Sequence, residues 1–297
     1  MKKTMRIRDS YHFYAVVTII FWALAYVYTR LALRYFSALP LGFLRYSIAS
    51  VILACAAFYL KMKLPEKKDW KFFIASGATG FFIYMVGFNI GCKTVSAATS
   101  SVIVSTAPVI TALLAHFLMN EHLSRVKWAA IAVEFAGVTL LALMSGAFTV
   151  NFGILWLFLA ALSFGFFNLL QRKLTETYSS LQTTAFSIFI GTAMLMIFAP
   201  TAVREVSAAP VAQWFNIAVL ALLSSAAAYF TWAKAFEKAG NAASVSNYMF
   251  LTPFLTAILA LLIAGESLDS ATICGGAVIL FGLALFNFGD RVLAKRR

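Results

Sequence analysis

Lys93-Thr-Val-Ser-Ala97-Ala98 leads through Pro108 to Glu121, and Lys238-Ala-Gly-Asn-Ala242-Ala243 leads through Pro253 to Glu266. The lysines, the prolines and the glutamates of the two tracts each stand 145 residues apart, with no gap between them. From Lys93 to Leu123, 11 of 31 positions match their partners. Apolar composition inflates such a score, but it does not produce matched Lys, Pro and Glu. A second match lies upstream at an offset of 142, with Trp22-Ala-Leu-Ala-Tyr-Val-Tyr-Thr-Arg30 against Phe164-Gly-Phe-Phe-Asn-Leu-Leu-Gln-Arg172. Ser37 and Leu39 fall against Ser179 and Leu181 at the same offset. A short insertion late in the second half reconciles the two offsets, so the chain divides into residues 1–147 and 148–297.

Each copy lies in membrane-like sequence. The chain is 62% hydrophobic and 12% charged, with a mean hydropathy of +0.86. A soluble domain of 297 residues has too little interior to hide that much apolar surface, so lipid is its main solvent. The net charge of +13 sits in short connectors between apolar runs, where it orients the chain against anionic lipid. That placement argues against nucleic acid as a partner. Cys55, Cys92 and Cys274 are far apart in or beside apolar segments and form neither a disulfide framework nor a zinc pattern. The charged start, Met1-Lys-Lys-Thr-Met-Arg-Ile-Arg, precedes an apolar run without a small-residue cleavage pattern, which reads as an uncleaved first helix.

A bilayer core needs about 20 mostly apolar residues per helix. Ten stretches satisfy this, near 12–34, 41–60, 71–92, 96–118, 126–145, 152–172, 181–202, 213–235, 242–264 and 271–290. With both termini in the cytoplasm, 19 positive residues fall inside and only Arg30, Arg34, Lys93 and Arg204 outside, with Arg45 within a span. The positive-inside rule therefore requires an even number of spans. Five helices per half is odd, so the second half enters the membrane the opposite way up. The expected fold is an all-α polytopic membrane protein with ten transmembrane helices. They form two inverted-topology five-helix repeats, the usual build of secondary transporters, which bind substrate between the halves.

The tract Ala228-Tyr-Phe-Thr-Trp-Ala-Lys-Ala-Phe-Glu-Lys-Ala-Gly-Asn-Ala-Ala-Ser, followed by Leu251-Thr-Pro-Phe-Leu-Thr-Ala and Ala264-Gly-Glu-Ser-Leu, resembles the EamA domain of the drug/metabolite transporter superfamily. Its first-half counterpart is Gly91-Cys-Lys-Thr-Val-Ser-Ala-Ala-Thr-Ser, Ala107-Pro-Val-Ile-Thr-Ala and Asn120-Glu-His-Leu, and Phe21-Trp22 resembles the family's aromatic opening. The resemblance implies a ten-helix carrier of the inner or plasma membrane that moves small metabolites, usually outward. It also implies a central cavity lined by the first, third, fourth, sixth, eighth and ninth helices. The first half departs from the pattern twice. Asn120 replaces the usual Gly, and Glu134 stands where the family has an apolar or small residue.

Several residues stand out for their chemistry. Pro108 and Pro253 fall mid-span, where proline frees the carbonyls of Val104 and Met249, as a kink that shapes the cavity or as a hinge. Trp22, Tyr26, Tyr84, Tyr229, Trp232 and Tyr248 lie inside spans and suit a cavity for amphipathic or cationic solutes, or simple packing. Asn89, Asn168 and Asn247 are mid-span amides that need partners, either other helices or substrate. Glu121 and Glu266 lie at helix ends, where capping is the simpler role and transport the bolder one. Glu134 faces Ile279 across the repeat and Arg45 faces Ser187, so both are unmatched ionisable groups at membrane depth. Glu134 is a candidate for proton coupling; the alternatives are a protonated structural acid or a pair with Arg45 or His116. His116 is the histidine best placed to reach a cavity.

An intramembrane enzyme would need paired acids, a Ser/His pair or metal ligands at depth. The sequence offers no His-x-x-x-His or Asp-rich motif. No metal or cofactor is expected. Few cationic residues sit at cavity depth, which argues against polyanionic nucleotide sugars. Amino-acid-like or amphipathic solutes are the expected cargo, with multidrug or cationic amine transport as the alternative. The sequence leaves direction, energy coupling and oligomeric state open.

Overall fold

Hydrocarbon offers the backbone no water, so every amide must bond within the chain, and the chain answers with helices. The computed structural model describes residues 10–95, 97–144, 152–264 and 270–294. Among them are α1 (Tyr11–Ala32), α2 (Ala38–Tyr59), α3 (Lys67–Thr94), α4 (residues 97–119), α5 (Arg125–Met144), α6 (Phe152–Leu174), α7 (Ser180–Ala208), α8 (Gln213–Lys238), α9 (residues 242–264) and α10 (Ser270–Ala294). Local sequence sets several of the starts. The Ser10 side chain accepts the His12 N–H at the head of α1, and Ser179 with Gln182 forms a capping box at the head of α7.

Nine helices among the described residues are long and apolar enough to cross a membrane. The 20-residue α5 stands beside them and carries Arg125, Lys127 and Glu134. The helices leave large apolar side chains on the outside, among them Phe58, Phe117, Phe152, Ile197 and Leu262. Such a girdle is unfavourable in water and natural against lipid tails.

The packing is reciprocal between the halves. α1 lies against α8 and α9, while its repeat counterpart α6 lies against α3 and α4. The counterparts α2 and α7 pack on each other, and so do α5 and α10. The last pair shows the relation residue by residue. A Cβ on Gly137 would stand 2.9 Å from Ile279 Cγ1 and 3.1 Å from the Gly275 carbonyl. A Cβ on Gly282 would stand 2.5 Å from Glu134 Cγ and 3.2 Å from the Ala130 carbonyl. Gly137/Gly282, Glu134/Ile279 and Ala130/Gly275 are all partners at the 145-residue offset. Near the helix ends the Ser124 hydroxyl donates to Asp290 at 2.8 Å. Partner numbers fall as residue numbers rise, so the two helices run antiparallel.

Regular helix breaks down in matching places. α3 holds a π-helical turn at Ala78–Ile83 and α8 a longer one at Val219–Ala227. α4 divides into Ala97–Val104 and Ala107–Met119, while α9 passes through a 3₁₀ stretch, Asn247–Leu251, before Thr252–Ala264. Pro108 and Pro253 each occupy the second residue of an α segment, where the missing N–H has no intrahelical partner to lose. Pro253 still leaves the Met249 carbonyl without its usual donor. The Ser105 hydroxyl, in the break of α4, lies 3.2 Å from that carbonyl and 2.8 Å from the Ser101 carbonyl. At the end of α4, Asn120 adopts the left-handed conformation, φ 53° and ψ 29°. Asparagine is the residue after glycine that accepts this geometry most readily, which explains its stand-in for the usual Gly.

The glycine contacts between α5 and α10 give the first prediction. Gly137→Val and Gly282→Val should each lower the melting temperature of the purified protein in detergent, because overpacking a tight contact costs about 1–3 kcal/mol. Gly240→Ala should leave it unchanged, since a Cβ there meets nothing within 4 Å.

Candidate functional site

A small cavity opens among Trp22, Ala25 and Tyr26 of α1, Arg45 of α2, Tyr84 and Phe88 of α3, Val104 of α4, Phe164 of α6 and Met249 and Thr252 of α9. Its wall straddles the internal relation of the chain. Trp22 and Phe164 are partners at 142, and Val104 and Met249 are partners at 145. Five of its ten lining residues are aromatic. Trp22 meets Phe164 edge-on at 5.3 Å between centroids, Tyr84 lies 4.9 Å from Phe164 and 5.5 Å from Phe88, and Tyr26 lies 5.1 Å from Phe88. These separations are those of favourable aromatic pairs, so the wall is held by its own packing.

Arg45 is the charged member of that wall and is 3% exposed. Its Nε donates to the Ser225 hydroxyl at 2.6 Å and its Nη2 to the Ser224 carbonyl at 2.9 Å, both on the π-helical turn of α8. Ser225 passes the bond on by donating to the Leu220 carbonyl at 2.8 Å, and Ser224 donates to the Phe21 carbonyl of α1 at 2.7 Å. The ion pairs among the described residues are Lys68–Glu66, Arg172–Glu176 and Lys234–Glu237, so Arg45 belongs to none.

The other aromatics expected at a cavity stand behind this wall. Tyr229 and Trp232 are buried, packed on Trp22 at 5.3 and 4.8 Å. The Tyr229 hydroxyl pairs with that of Tyr46 at 3.3 Å. Trp232 Nε1 donates to Asn168 Oδ1 at 3.0 Å, and Asn168 Nδ2 donates to the Thr111 hydroxyl at 3.0 Å. This amide therefore ties α6 to α8 and α4. Asn89 Nδ2 donates to the Ala38 carbonyl at 2.7 Å and joins α3 to α2. The Tyr248 hydroxyl bonds to His12 Nδ1. Of the nine residues expected at the cavity, Trp22, Tyr26 and Tyr84 line it, and the others hold the helices around it.

The ionisable candidates separate in space. Glu134 is fully buried between α5 and α10, and its Oε1 accepts the Asn247 side-chain N–H at 2.8 Å. Its partner is thus an amide of α9, not Arg45 or His116. Glu134 Oε2 and Asn247 Oδ1 have no partner among the described residues. His116 sits near the end of α4 with Nδ1 3.2 Å from the Glu121 carbonyl oxygen, away from the cavity. Both Glu121 carboxylate oxygens accept the Ala242 N–H at 2.9 Å, so a first-half acid caps the start of α9 in the second half. An anion at a helix start also opposes the helix dipole. Glu266 lies outside the described residues.

The chain matches the EamA-like transporter family twice, over residues 9–143 and 151–288. It belongs to that family. It is 31% identical to the uncharacterized transporter YdfC of Bacillus subtilis (strain 168) over 95% of this chain and 91% of YdfC. It is 29% identical to a probable terminal-alkyne amino-acid exporter of Streptantibioticus cattleyicolor, over 95% of this chain and 94% of the exporter. An S-adenosylmethionine uptake transporter of Rickettsia prowazekii (strain Madrid E) is 29% identical over 82% of this chain and 81% of its own. A solved crystal structure superposes with a TM-score of 0.75 over 95% of this chain and 97% of its own, at 17% identity, which shows a shared fold.

Of the helices that family resemblance assigns to the cavity, α8 contributes no lining residue and stands behind the wall, while α2, outside that set, adds Arg45. The wall residues not singled out from sequence are Ala25, Phe88, Val104, Phe164, Met249 and Thr252. A signal for three of them was present. Phe164 is the repeat partner of Trp22, and Val104 and Met249 precede the paired prolines by four residues. Phe88 and Thr252 carry no such mark.

The cap on α9 predicts a specific loss. Glu121→Ala should cost about 1 kcal/mol, as lost helix caps do, and lower the melting temperature in detergent. Glu121→Asp, which keeps the charge, should recover part of it.

Proposed function

We propose that this chain is a secondary transporter of the cell membrane that carries small amino-acid-like or amphipathic metabolites by alternating access, with export as its direction. In this reading residues 1–147 and 148–297 are inverted five-helix halves, ten spans in all, with both termini cytoplasmic. The observation that carries it is the cavity wall built from repeat partners, Trp22 with Phe164 and Val104 with Met249. A site on the internal twofold is the one place that two halves can open alternately to either side by the same rocking motion. The antiparallel, reciprocal contact of α5 with α10 supports the inverted relation, because a twofold perpendicular to two spanning helices lies in the membrane plane.

Arg45 favours amino-acid-like cargo over the cationic-amine alternative. A positive charge in a dry aromatic wall repels amines and multidrug cations, with no acid among the lining residues to offset it. The two relatives named for a solute point the same way, one an amino-acid exporter and the other an S-adenosylmethionine uptake transporter. Their names also give opposite directions, so membership of the family does not fix direction.

Glu134 is the coupling candidate within this reading. It is buried, lacks an ionic partner among the described residues, and bonds Asn247, two residues before Met249 in the cavity wall. A change in its charge would be felt along the 3₁₀ stretch that carries Met249.

Two measurements test the proposal. In proteoliposomes preloaded with unlabelled amino acid, labelled amino acid should accumulate transiently by counterflow; a passive pore or an enzyme gives none. With Glu134→Gln, counterflow should persist while accumulation driven by a proton gradient is lost. Unchanged gradient-driven accumulation would remove Glu134 from coupling.

A further inference from the structure

We propose that Arg45 is the receptor for a carboxylate on the transported solute, with the Tyr26 and Tyr84 hydroxyls as its neighbouring donors. The argument starts from a cost. A guanidinium stays charged at any physiological pH, and its removal from water is expensive unless an anion or a full set of acceptors receives it. Arg45 is 97% buried by complement of its 3% exposure, yet its two hydrogen bonds go to neutral oxygens, the Ser225 hydroxyl and the Ser224 carbonyl. Guanidinium has five N–H donors, so three find no partner among the described residues, including both on Nη1. No acidic residue among the described residues pairs with it.

This donor set suits an anion. The two bonds anchor one part of the planar group on α8, and the ring of Tyr46 lies 5.5 Å from the guanidinium carbon. This fixes its orientation before any solute arrives, while Arg45 forms part of the cavity wall. Tyr26 and Tyr84 line the same wall, and neither hydroxyl has a hydrogen-bond partner among the described residues. A carboxylate is planar and accepts two parallel N–H bonds from a guanidinium edge, so it matches this donor set better than a spherical anion. Apart from Thr252 the rest of the wall is apolar, with Trp22, Phe88, Phe164 and Met249 as its large members, which suits an apolar side chain and offers ring faces to an ammonium group. The class of ligand is a monocarboxylate with a compact apolar body, amino acids included.

This inference rests on the carrier reading for its role in transport, but its first test is binding. The purified protein is titrated with L-leucine, L-leucinamide and 3-methylbutylamine, which share the side chain and differ in the carboxylate, and with 4-methylpentanoate, which lacks the amine. The expected result is thermal stabilisation by leucine and 4-methylpentanoate, with the amide and the amine at least about tenfold weaker, as loss of charge-assisted bonds predicts. Arg45→Met should reduce leucine affinity by about the same factor while leaving binding of the amine unchanged or stronger. Arg45→Lys keeps the charge without the fork and should fall between, provided both variants elute as the wild type does on size exclusion. Equal binding of leucine and leucinamide by the wild type overturns the proposal without any variant, and so does an absence of binding by every carboxylate. Counterflow of an amine or an amide with no preference for carboxylates would sink this site and leave the carrier standing. Carboxylate binding with no counterflow would do the reverse.

Discussion

Everything in this chain answers to one constraint, that a backbone amide in hydrocarbon has no water to bond. Regular helix is the default response, so each departure from it needs a partner from elsewhere in the protein. The departures here are few and their partners identifiable. Met249, freed by Pro253, lies near the Ser105 hydroxyl at the break of the opposite half. The start of α9 takes both oxygens of Glu121. The irregular segments of α9 are thus completed by the first half, and the cavity wall runs past them through Val104, Met249 and Thr252. Backbone that cannot be repaired locally is placed where the halves meet.

The same dependence governs the buried charges. Arg45 on α2 is received by serines of α8, and Glu134 on α5 by an asparagine of α9. These two groups of the first half are thereby held by neutral groups of the second. Neutral partners orient a charge without cancelling it. At the repeat-equivalent places stand Ser187 and Ile279, which carry no charge. The repeat supplies a symmetric frame, and Arg45 and Glu134 are buried charges that depart from it.

Small residues make the frame possible. With no hydrophobic drive between helices in lipid, close approach and dispersion must hold α5 to α10, and the paired glycines 137 and 282 permit it. Gly282 also leaves the space that the Glu134 side chain occupies. An acid in this helix pair is therefore accommodated sterically as well as by its hydrogen bond to Asn247.

The sequence by itself determined the membrane class, the division into two related halves and the helical segments, because these follow from hydropathy, charge placement and a repeat offset that survive without coordinates. It also marked Trp22, Tyr26, Tyr84, Arg45 and Glu134 as unusual for their depth. Only the tertiary structure decided which of them meet. Tyr229, Trp232 and Asn168 have the composition of cavity residues, yet they face inward to neighbouring helices, and periodicity cannot distinguish a wall from the packing behind it. The expected partnership of Glu134 with Arg45 gave way to separate neutral partners, since which helix faces meet is set by side-chain packing between segments far apart in sequence. Sequence shows that a charge is buried; the fold alone determines what it faces.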